Sequence, residues 1–406
     1  MLKGKILFLV MALVAVTAMI AVPAGAFENE FGGYWRFRAY SQNDFNGEND
    51  ADDIQRADSR TRLYYTAKFS DDFKFVNKFE MDAIYGDNVG GSYGDIGADG
   101  TNVEVKNSYA DFTLMDNLNF KVGTQGGTLA RGFFFSDDFS GATITYNTET
   151  ASFPFMWMKI NEGHVIATGD DANDEDKDLF AFAPVFSLNN LSLNPWVAYV
   201  TQDSTEQDIY VIGADADLKM DMLSAWFTGI YMGGDFSEDL DQSAYLLAAG
   251  ASVDMGMFSP HVEAFYATGD DDPTDDENES FSDITTGQSY YWSEIQGFGL
   301  IDCADCQNAA GDNIDNIWAA NIGVDVYPMD KLSLAFDLWY SELAEEDAFG
   351  NSDFGTEVNI SATYQIMDNL ALDVVGAYLF AGDVVSLDGE NDEDPLELGT
   401  RLSLSF

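Results

Sequence analysis

The chain is nearly devoid of histidine and cysteine, with two of each in 406 residues. Nucleophilic catalysis through a histidine base therefore has few places to sit. His164 falls in a polar connection, His261 opens an apolar segment beside Glu263, and no serine motif accompanies either. The cysteines form Cys303-Ala-Asp-Cys306, too few thiolates for a closed zinc site. Gln307 stands where c-type haem attachment needs histidine, so no cofactor is expected. In an exported protein such a pair is by default a local disulfide. Cations are scarce too: 18 Lys and Arg against 71 Asp and Glu, a formal charge of −53. So acidic a chain repels nucleic acid. Beyond residue 22 there is no apolar run of about 18 residues, which excludes a helical membrane span.

What is present begins at the ends. Lys3 and Lys5 precede an apolar run from Ile6 to Val22, and Ala24-Gly25-Ala26 offers a small-residue cleavage site. Residues 1–26 are expected to be a signal peptide, leaving 27–406 as the exported chain. At the other end, Leu396, Leu398, Leu402, Leu404 and Phe406 alternate with Glu397, Gly399, Arg401, Ser403 and Ser405. Such alternation makes a strand with one apolar and one polar face. An apolar strand finishing on phenylalanine resembles the closing strand of a bacterial outer-membrane β-barrel. The outer membrane, its lipids and the machinery that inserts barrels through this strand are the expected surroundings.

The alternation recurs from Phe31 onward. Eight compact turn clusters punctuate it, among them Ser70-Asp71-Asp72, Met115-Asp116-Asn117, Leu188-Asn189-Asn190 and Pro328-Met329-Asp330. Longer, mostly acidic connections fall between them: 41–59, 86–102, 125–138, 161–177, 202–207, 234–242, 269–316, 343–353 and 383–394. Eight turns and nine loops separate 18 strands, or 16 if one hairpin is spurious. The predicted fold is therefore an all-β transmembrane antiparallel barrel, with short periplasmic turns and long outer loops. A secreted β-sandwich would share the alternation but not this rhythm. None of the acidic runs Asp170–Asp178, Asp270–Glu279 and Glu390–Asp394 has EF-hand spacing, and no metal site is expected. An 18-stranded barrel leaves an aqueous channel. Inward positions read as polar throughout, which points to a porin for small hydrophilic solutes.

Between Asn107 and Tyr146 the sequence is more specific. Asn107-Ser-Tyr109-Ala-Asp111-Phe112, Phe120-Lys-Val122-Gly123-Thr-Gln125, Gly132 and Asp138-Phe-Ser-Gly141-Ala-Thr-Ile144-Thr-Tyr146 resemble a segment of alginate-export-like porins. Gly123 and Gln125 match that family's Gly-Arg-Gln motif, with Thr124 in place of the arginine. The resemblance implies an 18-stranded barrel that conducts anionic or other small solutes.

Eleven of the cations lie between Arg36 and Arg131. Parity turns Arg36, Arg38, Arg60, Arg62, Lys68, Lys74, Lys78 and Lys121 toward the lumen, and closure adds Arg401; Lys106 has the opposite parity. These residues either line the pore and attract anions, or pair with Glu80, Asp82 and Asp111 and stiffen the wall. A row of like charges in a low-dielectric wall is costly unless wet or paired, and of the two readings pore lining is preferred. The segment 125–138, with Gln125, Arg131 and Phe133-Phe134-Phe135, either folds inward as a constriction or extends its two strands above the membrane. A second expectation is a sheath or surface scaffold for a partner such as a multihaem cytochrome, of which the sheath needs a wide bore.

Overall fold

The computed structural model describes residues 27–45, 53–87, 94, 96–97, 100, 102–163, 175–297, 299–301, 314–385 and 393–406. The expected signal peptide, His164, and Cys303 with Cys306 lie outside the described residues.

The strands run β1 Glu28–Asn43, β2 Ile54–Ser70, β3 Phe73–Ile84, β4 Glu104–Met115, β5 Leu118–Leu129, β6 Phe135–Asn147 and β7 Ala151–Asn161. They continue as β8 Lys177–Phe182, β9 Val185–Leu188, β10 Leu191–Gln202, β11 Gln207–Met220, β12 Leu223–Ser237, β13 Leu240–Val253 and β14 Phe258–Ala267. The last are β15 Glu277–Asn278, β16 Ile317–Met329, β17 Leu332–Leu343, β18 Asp353–Met367, β19 Leu370–Ala381 and β20 Leu396–Ser405. β8 and β9 are one stave broken at Ala183-Pro184, since both lie between β7 and β10. Proline has no N–H to give the ladder, which explains the break. β15 is a two-residue strand inside a loop, paired with Asp241 and Gln242. Eighteen antiparallel staves remain, and β1 pairs with β20 to close them. This is the closed all-β transmembrane barrel expected.

The seam is tight. Gly33 and Phe406 exchange backbone hydrogen bonds of 2.8 and 3.1 Å. A Cβ on Gly33 would sit 2.5 Å from the Phe406 ring and 2.6 Å from the Arg62 carbonyl oxygen, so only glycine fits.

Outward residues such as Tyr210, Ile212, Leu247, Val262, Phe336, Leu338, Ile360, Val374 and Leu398 are exposed. Each lies one position from a buried inward neighbour or an inward polar residue. An apolar belt around a closed barrel is the surface that lipid covers.

Several connections differ from expectation. Only Glu238-Asp239 separates β12 from β13, so the expected loop 234–242 is a tight turn between two long strands. The expected loop 202–207 is a single turn of 3-10 helix at Asp203–Thr205. β5 and β6 extend far enough that residues 130–134 alone connect them.

Candidate functional site

The inner wall is the site, and its charge is largely paired. Arg38 forms a bidentate pair with Asp58 at 2.9 and 2.8 Å. Arg60 does the same with Asp82 at 2.8 and 2.6 Å, and its Nη2 also reaches Glu80 at 3.4 Å. Arg62 donates to Glu80, Lys74 meets Asp111 at 3.3 Å, Arg401 meets Asp373 at 3.0 Å, and Lys68 meets Asp71 at 2.8 Å. Glu80, Asp82 and Asp111 thus carry the partner role that the sequence left open.

Arg36, Lys78 and Lys121 have no carboxylate partner among the described residues. The Arg36 Nε is buried without a hydrogen bond. Lys78 lies over the Tyr64 ring at 5.4 Å and Lys121 over Tyr109 at 5.7 Å. Such cation–π contacts keep an ammonium ordered without neutralising it.

Lys106 also faces inward, contrary to its parity. Lys78 pairs with Asn107 and Phe79 with Val105, so Lys106 is a bulge residue that the ladder skips. One extra residue changes the facing of what lies beyond it. Lys106 then pairs with Asp138 at 3.2 Å, and Asn107 donates to the same carboxylate at 2.6 Å.

Gln125 is not a free constriction side chain. It is buried in the wall, donating to the Lys121 carbonyl at 3.3 Å and accepting from Thr143 at 3.1 Å. Gly123 beside it has φ of 127°, and a Cβ there would lie 2.2 Å from the Ser108 carbonyl oxygen.

The segment after Gln125 turns inward. Ala130, Arg131 and Gly132 have φ of 51°, 58° and 99°, three successive left-handed residues that swing the chain off the sheet. Arg131 reaches Thr228 at 3.1 Å, Asp217 at 2.8 Å and the Ala216 carbonyl at 3.3 Å, and lies over Trp226 at 5.0 Å. Those partners stand on β11 and β12, across the lumen from β5 and β6. Phe133, fully buried, stacks on Tyr290 at 3.7 Å, and Phe134 packs on Trp196.

The longest connection, expected as an outer loop, also folds inside. Phe281, Ile284, Trp292, Ile295, Ile301 and Ile314 are buried in it. Trp292 packs on Phe265 of β14 and Trp339 of β17. Ser136 N–H donates to the Gly287 carbonyl at 2.8 Å and Gln288 donates to the Phe133 carbonyl at 2.8 Å, so the two inserted segments hold each other. At its far side Ile301 packs with Tyr40 of β1 and Val375 of β19.

These insertions rest on an apolar inner wall. Leu179, Val200, Ile209, Val211, Met232, Leu246 and Ile317 point inward near the long-connection end and are fully buried. The expectation of polar inward positions throughout therefore holds only for part of the lumen. On these staves the polar lining lies nearer the short turns, with Asp215, Asp217, His261, Asn321, Asp325 and Asp337. His261 bridges two of them, with Nε2 at 2.7 Å from Asp337 and Nδ1 at 3.6 Å from Asp325.

Water-accessible space remains open along the inner wall. One chamber of about 560 Å³ is bounded by Arg62, Lys78, Lys106, Asp137 and Asp138. Another of about 540 Å³ has Arg36 and Arg401 on one side and His261, Glu263 and Asp337 on the other. In the inserted loop, burial holds the Glu294 carboxyl up at about 7, with Glu357 pushing the same way and the Leu300 amide against.

Known structures share this architecture. Pseudomonas aeruginosa OccK8 (OprE) superimposes with a TM-score of 0.61 over 94% of this chain and 99% of its own, at 11% identity. Acinetobacter baumannii OccAB1 gives 0.63, 94%, 98% and 12% in the same terms. A BenF-like porin from Pseudomonas fluorescens Pf-5 gives 0.61, 94%, 100% and 14%. The chain shares the fold of these barrels. No family model and no curated protein matches the sequence, and identities this low carry the fold alone.

Proposed function

We propose that this barrel is an outer-membrane porin through which small hydrophilic solutes diffuse passively, with a preference for anions. In this reading residues 1–26 direct export, the C-terminal strand is read by the barrel-inserting machinery, and the apolar belt meets outer-membrane lipid. The observation that carries the anion preference is the set Arg36, Lys78 and Lys121. Paired cations add little net field, whereas these three present uncompensated charge to the water-filled side. The narrow part of a pore usually sets its selectivity. Acidic outer loops concentrate cations at the mouth, but in this reading solutes pass along the basic wall, where the lumen is not filled by the insertions.

The inserted segments also favour a channel over a sheath for a partner such as a multihaem cytochrome. A sheath needs an open bore, and here two segments of the chain occupy it.

Planar-bilayer recording in a salt gradient tests the reading. The parent should show discrete conductance steps and a reversal potential on the anion side. Replacing Arg36 and Lys78 together by Ala should move that potential toward cation preference, with insertion unchanged. A silent barrel, or a double variant with the parent's reversal potential, would overturn it.

A further inference from the structure

Residues 291–297 and 299–301 cross the lumen from the wall at β14 and β17 to that at β1 and β19. One carboxylate carries much of their attachment. Glu357 on β18, fully buried, accepts the backbone N–H groups of Glu294, Ile295 and Gln296 at 2.9, 2.9 and 3.0 Å. Ser341 of β17 donates to Gln296 beside them. The segment brings a carboxylate of its own, Glu294, whose Oε2 accepts from the Leu300 N–H at 2.6 Å.

Glu294 therefore docks among like charges. Facing it are Glu357 on β18 and Glu397 on β20, the latter held by Gln42 of β1 at 2.7 Å. Cations nearby are already committed. Arg401 is bonded to Asp373 and Arg38 to Asp58. Arg36 stands on the same chamber, with His261, Glu263 and Asp337 across it.

We propose that this segment is a proton-controlled strap across the lumen, docked on Glu357 while Glu294 is protonated and released as Glu294 ionises. The inference rests on the channel reading above. Docking holds the Glu294 carboxyl up at about 7, whereas a released, solvated glutamate titrates near 4.3. Docking thus favours the protonated form. Its advantage is complete below about pH 4 and is lost as pH rises through about 7. Across that window the docked-to-released ratio should fall on the order of a hundredfold.

The test is single-channel conductance of the full barrel between about pH 4.5 and 8.5. The parent should conduct more, with longer high-conductance dwells, at the alkaline end. Glu294→Gln should hold the low-conductance state at every pH while keeping heat-modifiable migration. Should that variant fail to fold, Glu397→Gln serves instead: with one facing carboxyl fewer, ionised Glu294 costs the docked state less, and the conductance gained toward the alkaline end should shrink. A pH-independent parent, a Glu294→Gln profile matching the parent's, or an undiminished alkaline gain in Glu397→Gln overturns the strap while the channel stands. Absence of conductance at every pH overturns both.

Discussion

At the scale of single residues, the inner wall is an ion-pair ladder with a few unpaired cations. Arg60 and Arg62 share Glu80, which is only 3% exposed, and Arg60 also holds Asp82. A buried carboxylate stripped of its partners is destabilising by about 3–5 kcal/mol, because its charge stays desolvated. Replacing Arg60 and Arg62 together by Ala should therefore act twice. The urea midpoint of the folded, heat-modifiable band should fall, and the reversal potential should move toward cations as Glu80 and Asp82 face the water alone. Restoring neutrality with Glu80→Gln and Asp82→Asn in the same chain should recover much of the stability. A double variant as stable as the parent would show that the ladder is not structural. Parity located these residues because strands β1 to β3 pair without interruption along them. It failed at Lys106, where the bulge opposite Lys78 and Phe79 leaves no mark in residue type.

The elements divide into those that sequence alternation reveals and those it conceals. Staves with one face in lipid and one in water alternate cleanly, and the count of eighteen, with sixteen as the runner-up, matches the staves found, as the eight tight turns do. The inserted segments were harder to see, because a loop that enters a barrel has no period of its own. The one clue was composition: Phe133-Phe134-Phe135 and Tyr290-Tyr291-Trp292 are too apolar for water. The matching clue on the wall was hidden, since Val200, Ile209, Val211 and Met232 face inward as apolar as their lipid-facing neighbours. Phe133 is where both insertions meet, stacked on Tyr290 and in contact with Trp226 and Phe265. Phe133→Ala should remove about 3–5 kcal/mol of packing from that junction. Since the staves do not depend on it, the loss should appear in the pore: a larger and noisier single-channel conductance from a barrel that still migrates as folded. Conductance unchanged from the parent would mean that the 130–134 segment does not narrow the path.

For the whole molecule, stability is a property of closure. Eighteen strands satisfy their backbone groups only if the last finds the first, and in hydrocarbon an open edge is not tolerated. Here β1 and β20 pair along Tyr34–Asn43 and Leu396–Ser405, and the Gly33–Phe406 exchange finishes the seam. The ring of Phe406 occupies the space that any side chain on residue 33 would need. Gly33→Leu should therefore injure assembly out of proportion to its place near one strand end. The expected result is loss of the compact, heat-modifiable band after refolding into detergent or lipid. Gly32 separates this effect from a general intolerance of side chains, because a Cβ there meets only the Phe406 carbonyl oxygen at 3.0 Å and the Tyr64 ring at 3.9 Å. Gly32→Ala should keep the band. If Gly33→Leu refolds as fully as the parent, the seam adapts by moving Phe406, and closure is governed by the ladder of β1 with β20 rather than by its terminal contact.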